Sequence, residues 1–107
     1  MISVTELRNL ISAGEGSRGE LKQSVPSKVR ELSEEVCAFA NANGGYLIIG
    51  VQDDNKIIGA DINNSKRAAV QDSISEISPS VQYSMYCLSV DYKNVWVIEV
   101  NTGNAKP

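Results

Sequence analysis

The 107-residue sequence predicts a single α+β domain in the order α-β-α-β-β-α-β-β, a mixed β-sheet with two hairpins packed by three helices. Three observations lead there. Segments with apolar residues every three to four positions alternate with short strand-like runs. Two pairs of those runs flank turn clusters, Asp53-Asp54-Asn55 and Asp91-Tyr92-Lys93-Asn94, as hairpins require. The length suits one hydrophobic core and leaves no room for two.

Each element has its own signature. Ser3-Val4-Thr5-Glu6 is a capping-box pattern, followed by Leu7, Leu10 and Ile11 at helical spacing, and Gly14 ends the helix. Arg18 to Gln23 reads as a short strand with Leu21 between Glu20 and Lys22. Pro26 and Ser27 open a second helix carrying Val29, Leu32, Val36 and Phe39 or Ala40, and Asn43-Gly44-Gly45 stops it. Tyr46 to Gln52 is a nearly unbroken apolar run, the mark of a central strand, and Lys56 to Gly59 returns from it. Asn63-Asn64-Ser65 caps a third helix with Val70, Ile74 and Ile77 inward and Pro79 beyond its end. Tyr83–Val90 and Val95–Val100 make the last hairpin.

Composition narrows the chemistry. With no histidine, imidazole is excluded as base, zinc ligand or triad member. The formal charge is −3, with an acidic excess in both halves, so a surface that grips phosphates has to be a local patch. No apolar stretch reaches membrane-spanning length and no signal-peptide pattern opens the chain, which points to the cytoplasm and away from membranes. Cys37 and Cys87 fit that compartment and are expected as small buried thiols.

The chemistry-bearing residues cluster early. Glu20 and Lys22 are two apart, so a strand points both to one face. A carboxylate beside an ammonium is a nuclease-like arrangement: the acid helps hold a divalent ion and the cation neutralises the phosphoryl group. Glu15 lies across a glycine-containing loop from Glu20, and Asp53 stands at the tip of the central strand. Three carboxylates without histidine would suit Mg²⁺ or Mn²⁺. The same residues have a plainer account, as solvated acids and good turn chemistry. Gly14 to Gly19 matches the G-x-G-x-x-G fingerprint, but a helix precedes it and a strand follows, the reverse of what pyrophosphate binding needs. Arg18, Lys22 and Lys28 could form one basic patch. Trp96 is in phase with Ile98 and Val100 and belongs to the core, while Tyr92 at the turn could stack on a base.

The run Ala38-Phe39-Ala40-Asn41-Ala42-Asn43-Gly44-Gly45-Tyr46-Leu47-Ile48-Ile49-Gly50-Val51, together with Glu15 to Lys22, Ile58-Gly59, the third helix ending near Pro79 and the final Val100 to Pro107, resembles the Schlafen-type AlbA-like domain. Leu21 stands where that family usually has phenylalanine. The resemblance implies a nucleic-acid-binding module, for DNA or structured RNA, of the kind found in bacterial transcriptional-regulator-like proteins. It also implies an alternative, a Mg²⁺- or Mn²⁺-dependent endoribonuclease in which Glu15, Glu20 and Asp53 hold metal and Lys22 assists. Asn41, Gly44 and Gly45 join Arg18, Lys22 and Lys28 as expected nucleic-acid contacts. A third reading is an oligomerisation domain, a homodimer included, without ligand. Family members commonly continue past the Lys106-Pro107 pair, so the chain is expected to be the N-terminal part of a longer polypeptide.

Overall fold

The computed structural model describes residues 1–14, 18–77 and 79–101. Ser3 opens the first helix, α1 (Val4–Ala13), through a full capping box: its hydroxyl accepts from the Glu6 N–H at 3.1 Å, and Glu6 Oε1 accepts from the Ser3 N–H at 3.0 Å. Gly14, at φ 74°, ends the helix and donates to the Ile11 carbonyl. Then follow β1 (Gly19–Lys22), α2 (Val29–Asn41), β2 (Gly45–Ile49), α3 (Asn64–Ile77), β3 (Tyr83–Val90) and β4 (Lys93–Val100). The expected order holds. The return segment after the Asp53 turn pairs through one antiparallel bridge, Val51 to Ile57.

The sheet order is β1-β2-β4-β3. β1 runs parallel to β2, with Glu20 opposite Leu47 and Lys22 opposite Ile49, whereas β4 is antiparallel to both β2 and β3. A parallel pair needs a crossover, and α2 supplies it. Strand alternation then divides the core in two. Leu47, Ile49, Met85, Ile98 and Val100 face Leu32, Val36 and Ala40 of α2 and Val70 and Ile74 of α3. Leu21, Ile48, Val90, Val95 and Val97 face Leu7 and Ile11 of α1. The two helices of the first layer are also joined by polar groups, where the buried Ser33 hydroxyl meets Ser73 Oγ at 2.9 Å. Trp96 packs against the first cluster, as its phase predicts, with the Arg67 guanidinium 5.5 Å from its ring centroid.

Several boundaries differ from expectation for identifiable reasons. α2 begins at Val29, not at Ser27, because Lys28 is the extended cap residue and supplies no side-chain hydrogen bond. β2 stops at Ile49 because Gly50 takes φ 113° and turns the chain. Gly50 and Val51 both donate to the Lys22 carbonyl, and Ile58 and Gly59 both donate to the Gly50 carbonyl, so this one residue ties three segments together. The last hairpin turns through two residues rather than four: Asp91 and Tyr92 both have positive φ, as a type I′ connection demands. Cys87 is exposed and Cys37 only partly buried, which corrects the expectation of two buried thiols; neither forms a disulfide. Cys87 shares the face of Met85, but β3 is an edge strand and cover ends before its tip.

Candidate nucleic-acid interface

The expected site residues are brought together in part. β1 is an edge strand, and Leu21 turns inward toward α1, so Glu20 and Lys22 face the opposite layer. There Lys22 Nζ meets Glu35 Oε2 at 2.9 Å, with the two side chains 26% and 30% exposed. Glu35 comes from α2, where it borders the inward stripe of Leu32, Val36 and Ala40. Its other oxygen, Oε1, is buried and finds no hydrogen-bond partner among the described residues. A buried carboxylate oxygen without a donor is costly, and a cation or a water is what would satisfy it. Glu35 was not among the residues picked from the sequence. Its position three residues after Leu32, on the flank of the apolar stripe, was the available signal.

Asp53 sits on an exposed turn four residues beyond the end of β2, and that turn is held by local bonds: Lys56 N–H to Asp54 Oδ1 at 3.1 Å and Asn55 N–H to the Gln52 carbonyl at 2.9 Å. The turn-forming account of Asp53-Asp54-Asn55 is therefore realised in the backbone. Glu15, the third expected metal ligand, lies outside the described residues. Among the described residues no three Asp, Glu or Cys side chains gather as metal ligands would.

The glycines of the signature run have structural work. Gly44 takes φ 79° and donates to the Phe39 carbonyl at 2.8 Å, closing the end of α2. At Gly45 a Cβ would overlap Cδ1 and Cε1 of the Phe39 ring and come within 3.0 Å of the Arg18 carbonyl oxygen. Asn41, by contrast, is exposed at the last position of α2. Arg18 and Lys28 are exposed on either side of β1, and Arg30 pairs only loosely with Glu34 at 3.6 Å.

On the other face, a groove of about 310 Å³ runs between α1 and β2, lined by Ile2, Glu6, Asn9, Leu10, Arg18 and Tyr46. The Arg18 guanidinium lies 5.9 Å from the Tyr46 ring centroid. Nothing in the local sequence predicts that meeting, because Arg18 precedes β1 and Tyr46 belongs to β2, with the whole of α2 between them. No helix among the described residues is long and apolar enough to cross a membrane.

A family model described as Schlafen, AlbA_2 matches residues 15–107 of this sequence. Among solved structures, the DIP2311 protein from Corynebacterium diphtheriae is similar at a TM-score of 0.60 and 20% identity, over 97% of this chain and 22% of that longer one. At that identity the likeness is one of fold.

Proposed function

This chain belongs to the Schlafen AlbA_2 family, and on that premise we propose that it is a nucleic-acid-binding module whose contact surface follows the exposed edge of β1. The observation that carries this reading is the spacing of cations along that edge. Arg18 precedes the strand, Lys22 ends it, and Lys28 caps the following helix. Four residues of strand separate the backbones of the first two by ~13 Å, too far for a single anion to span. Asn41, exposed at the end of α2, adds a neutral donor and acceptor. The whole chain is acidic, so these cations act locally and the binding they supply is salt-sensitive.

The test is fluorescence anisotropy of labelled DNA and structured RNA across a salt series. Three phosphate contacts predict a slope of about −3 in log affinity against log salt for duplex DNA. Arg18→Ala or Lys28→Ala each lowers the slope by about 1. Binding that ignores salt, or a slope unmoved by both variants, rejects the β1 edge as the contact surface.

A second reading, metal-dependent cleavage of the bound strand, is favoured by the unpartnered Glu35 Oε1 beside Lys22. In it Glu15, Glu20 and Asp53 would hold Mg²⁺ or Mn²⁺, which suits an all-oxygen donor set and would activate water and offset charge at phosphorus. Lys22 would bring positive charge to the scissile phosphate, held in place by Glu35. Incubation of labelled structured RNA with Mn²⁺ beside a Glu20→Gln control decides it. Cleavage lost in the variant and with chelator supports the reading, and intact RNA in every lane leaves binding alone.

A further inference from the structure

The groove between α1 and β2 lies on the opposite face of the sheet from Glu20, Lys22 and Glu35, and Arg18 reaches it from the residue before β1. Its two walls differ in kind. One is aliphatic, made by Leu10 of α1 and by Ile2 just before that helix. The other is planar, made by the Tyr46 ring with the Arg18 guanidinium over it. That planar wall is fixed by the sheet, since the Tyr46 N–H donates to the Arg18 carbonyl at 2.9 Å. Asn9 sits one residue before Leu10 and three after Glu6, so a carboxamide and a carboxylate share the groove's helical rim. Glu6 Oε1 already accepts from the Ser3 backbone, which turns this acid toward the start of α1 and leaves Asn9 as the uncommitted hydrogen-bonding group.

A slot with one flat π-surface, one aliphatic surface, a carboxamide at its rim and a cation at its mouth matches one chemical unit: a flat heteroaromatic ring with polar edges, joined to an anion. Its volume lies at the lower end of the ~300–1,000 Å³ range for small-ligand sites, enough for a single base and too little for a base pair with its backbone. We propose that this groove holds one nucleotide unit, its base stacked on the Tyr46–Arg18 wall and read by Asn9, with its phosphate at Arg18. The inference rests on the nucleic-acid reading and sharpens it, because a duplex has no free base face to offer. The site selects an unpaired nucleotide. A nucleotide within a strand and a free mononucleotide present the same chemistry, and the test separates them.

Anisotropy of the 107-residue chain with a fluorescent single-stranded oligonucleotide, the matching duplex, and adenosine monophosphate as competitor makes that separation. Tyr46→Leu keeps an apolar side chain against Ile48 and removes the π-surface. The stacking scale predicts ~10-fold weaker single-strand binding with duplex affinity held within about twofold. Asn9→Ala lies on an exposed helical position where folding is safe, and it weakens single-strand binding about threefold to tenfold through one lost hydrogen bond. Displacement by millimolar nucleotide identifies the free nucleotide as an occupant, and its absence alongside the Tyr46 effect assigns the base to a strand. If the native protein binds nucleic acid and neither variant changes single-strand or nucleotide binding, or Tyr46→Leu weakens duplex equally, the groove is not the site and the β1 reading stands. If the native protein binds none of the probes, both readings fall together.

Discussion

Lys22 and Glu35 meet at 2.9 Å although one belongs to the edge strand and the other to the helix that crosses over it. The contact ties the end of β1 to α2 by side chains, beside the backbone pairing of β1 with β2. It also leaves Glu35 with one satisfied and one unsatisfied oxygen. Lys22→Met takes the ammonium away from a partly buried carboxylate and is expected to cost about 1–3 kcal/mol, discounted toward the lower end because both side chains retain solvent contact. The double variant Lys22→Met/Glu35→Gln recovers part of that loss, with a coupling of about 1 kcal/mol in urea denaturation. Strictly additive single effects would show that the pair is ornamental.

At Gly45 the expected change is steric. Gly45→Ala drives a methyl group into the Phe39 ring and against the Arg18 carbonyl, a small-to-large change in a packed site that costs about 1–3 kcal/mol. Phe39→Leu in the same chain gives the methyl room, so the double variant is more stable than the sum of the singles predicts. Chemical denaturation midpoints of the four proteins check it.

Alkaline pH is expected to weaken the N-terminal attachment. The Tyr86 hydroxyl donates to Glu99 Oε1 at 2.7 Å and accepts from the Ile2 N–H at 3.1 Å. Burial pushes its pKa well above the ordinary 10.0; the Ile2 N–H opposes that in part, and the hydrogen bond to Glu99 and that carboxylate's charge add to it. A group raised on folding stabilises fully below its unfolded pKa, and that contribution is lost as pH rises toward the folded value. The melting temperature therefore falls above about pH 10, where the unfolded chain ionises first. Tyr86→Phe lowers stability at neutral pH by about 1 kcal/mol and makes the alkaline decline shallower. Tyr83, raised by burial and then by Asp72, contributes in the same direction and survives in that variant.

Cys87 combines exposure with a thiol whose pKa burial pushes upward. Alkylation at pH 7.5 is expected to be slower than in the urea-unfolded chain, since only the thiolate reacts. The rate should keep climbing about tenfold per pH unit through the range where an ordinary cysteine levels off. Intact-mass kinetics with iodoacetamide measure it, and a plateau near pH 8.5 would contradict the environment described.

Local signals in the sequence were enough for the helices and most strands. The Ser3–Glu6 box, the stripe Leu32-Val36-Ala40 and the Asn63 cap all act within one turn of helix, and each is found where its chemistry puts it, Asn63 Oδ1 accepting from the Lys66 N–H at 2.8 Å. What escaped depended on other segments. Gly50 reads as one more residue of an apolar run, yet its φ of 113° ends the strand, and the close approach of Gly59 and Ala60 leaves little room there for a Cβ. The two-residue turn at Asp91-Tyr92 was hidden because tyrosine is an uncommon left-handed residue. The candidate site divides the same way: the shared face of Glu20 and Lys22 follows from strand alternation, whereas Glu35, and the Tyr46–Arg18 wall, require the crossover to be folded first.

The contact between Phe39 and Gly45 has a wider consequence. It occupies the centre of the most recognisable stretch of this sequence, and its purpose is to let a helix end against the strand that follows it. A search guided by that stretch therefore retrieves a scaffold. That contact by itself says nothing of whether a given scaffold cuts, binds or merely assembles. Two chains could carry the stretch letter for letter and still differ in trade.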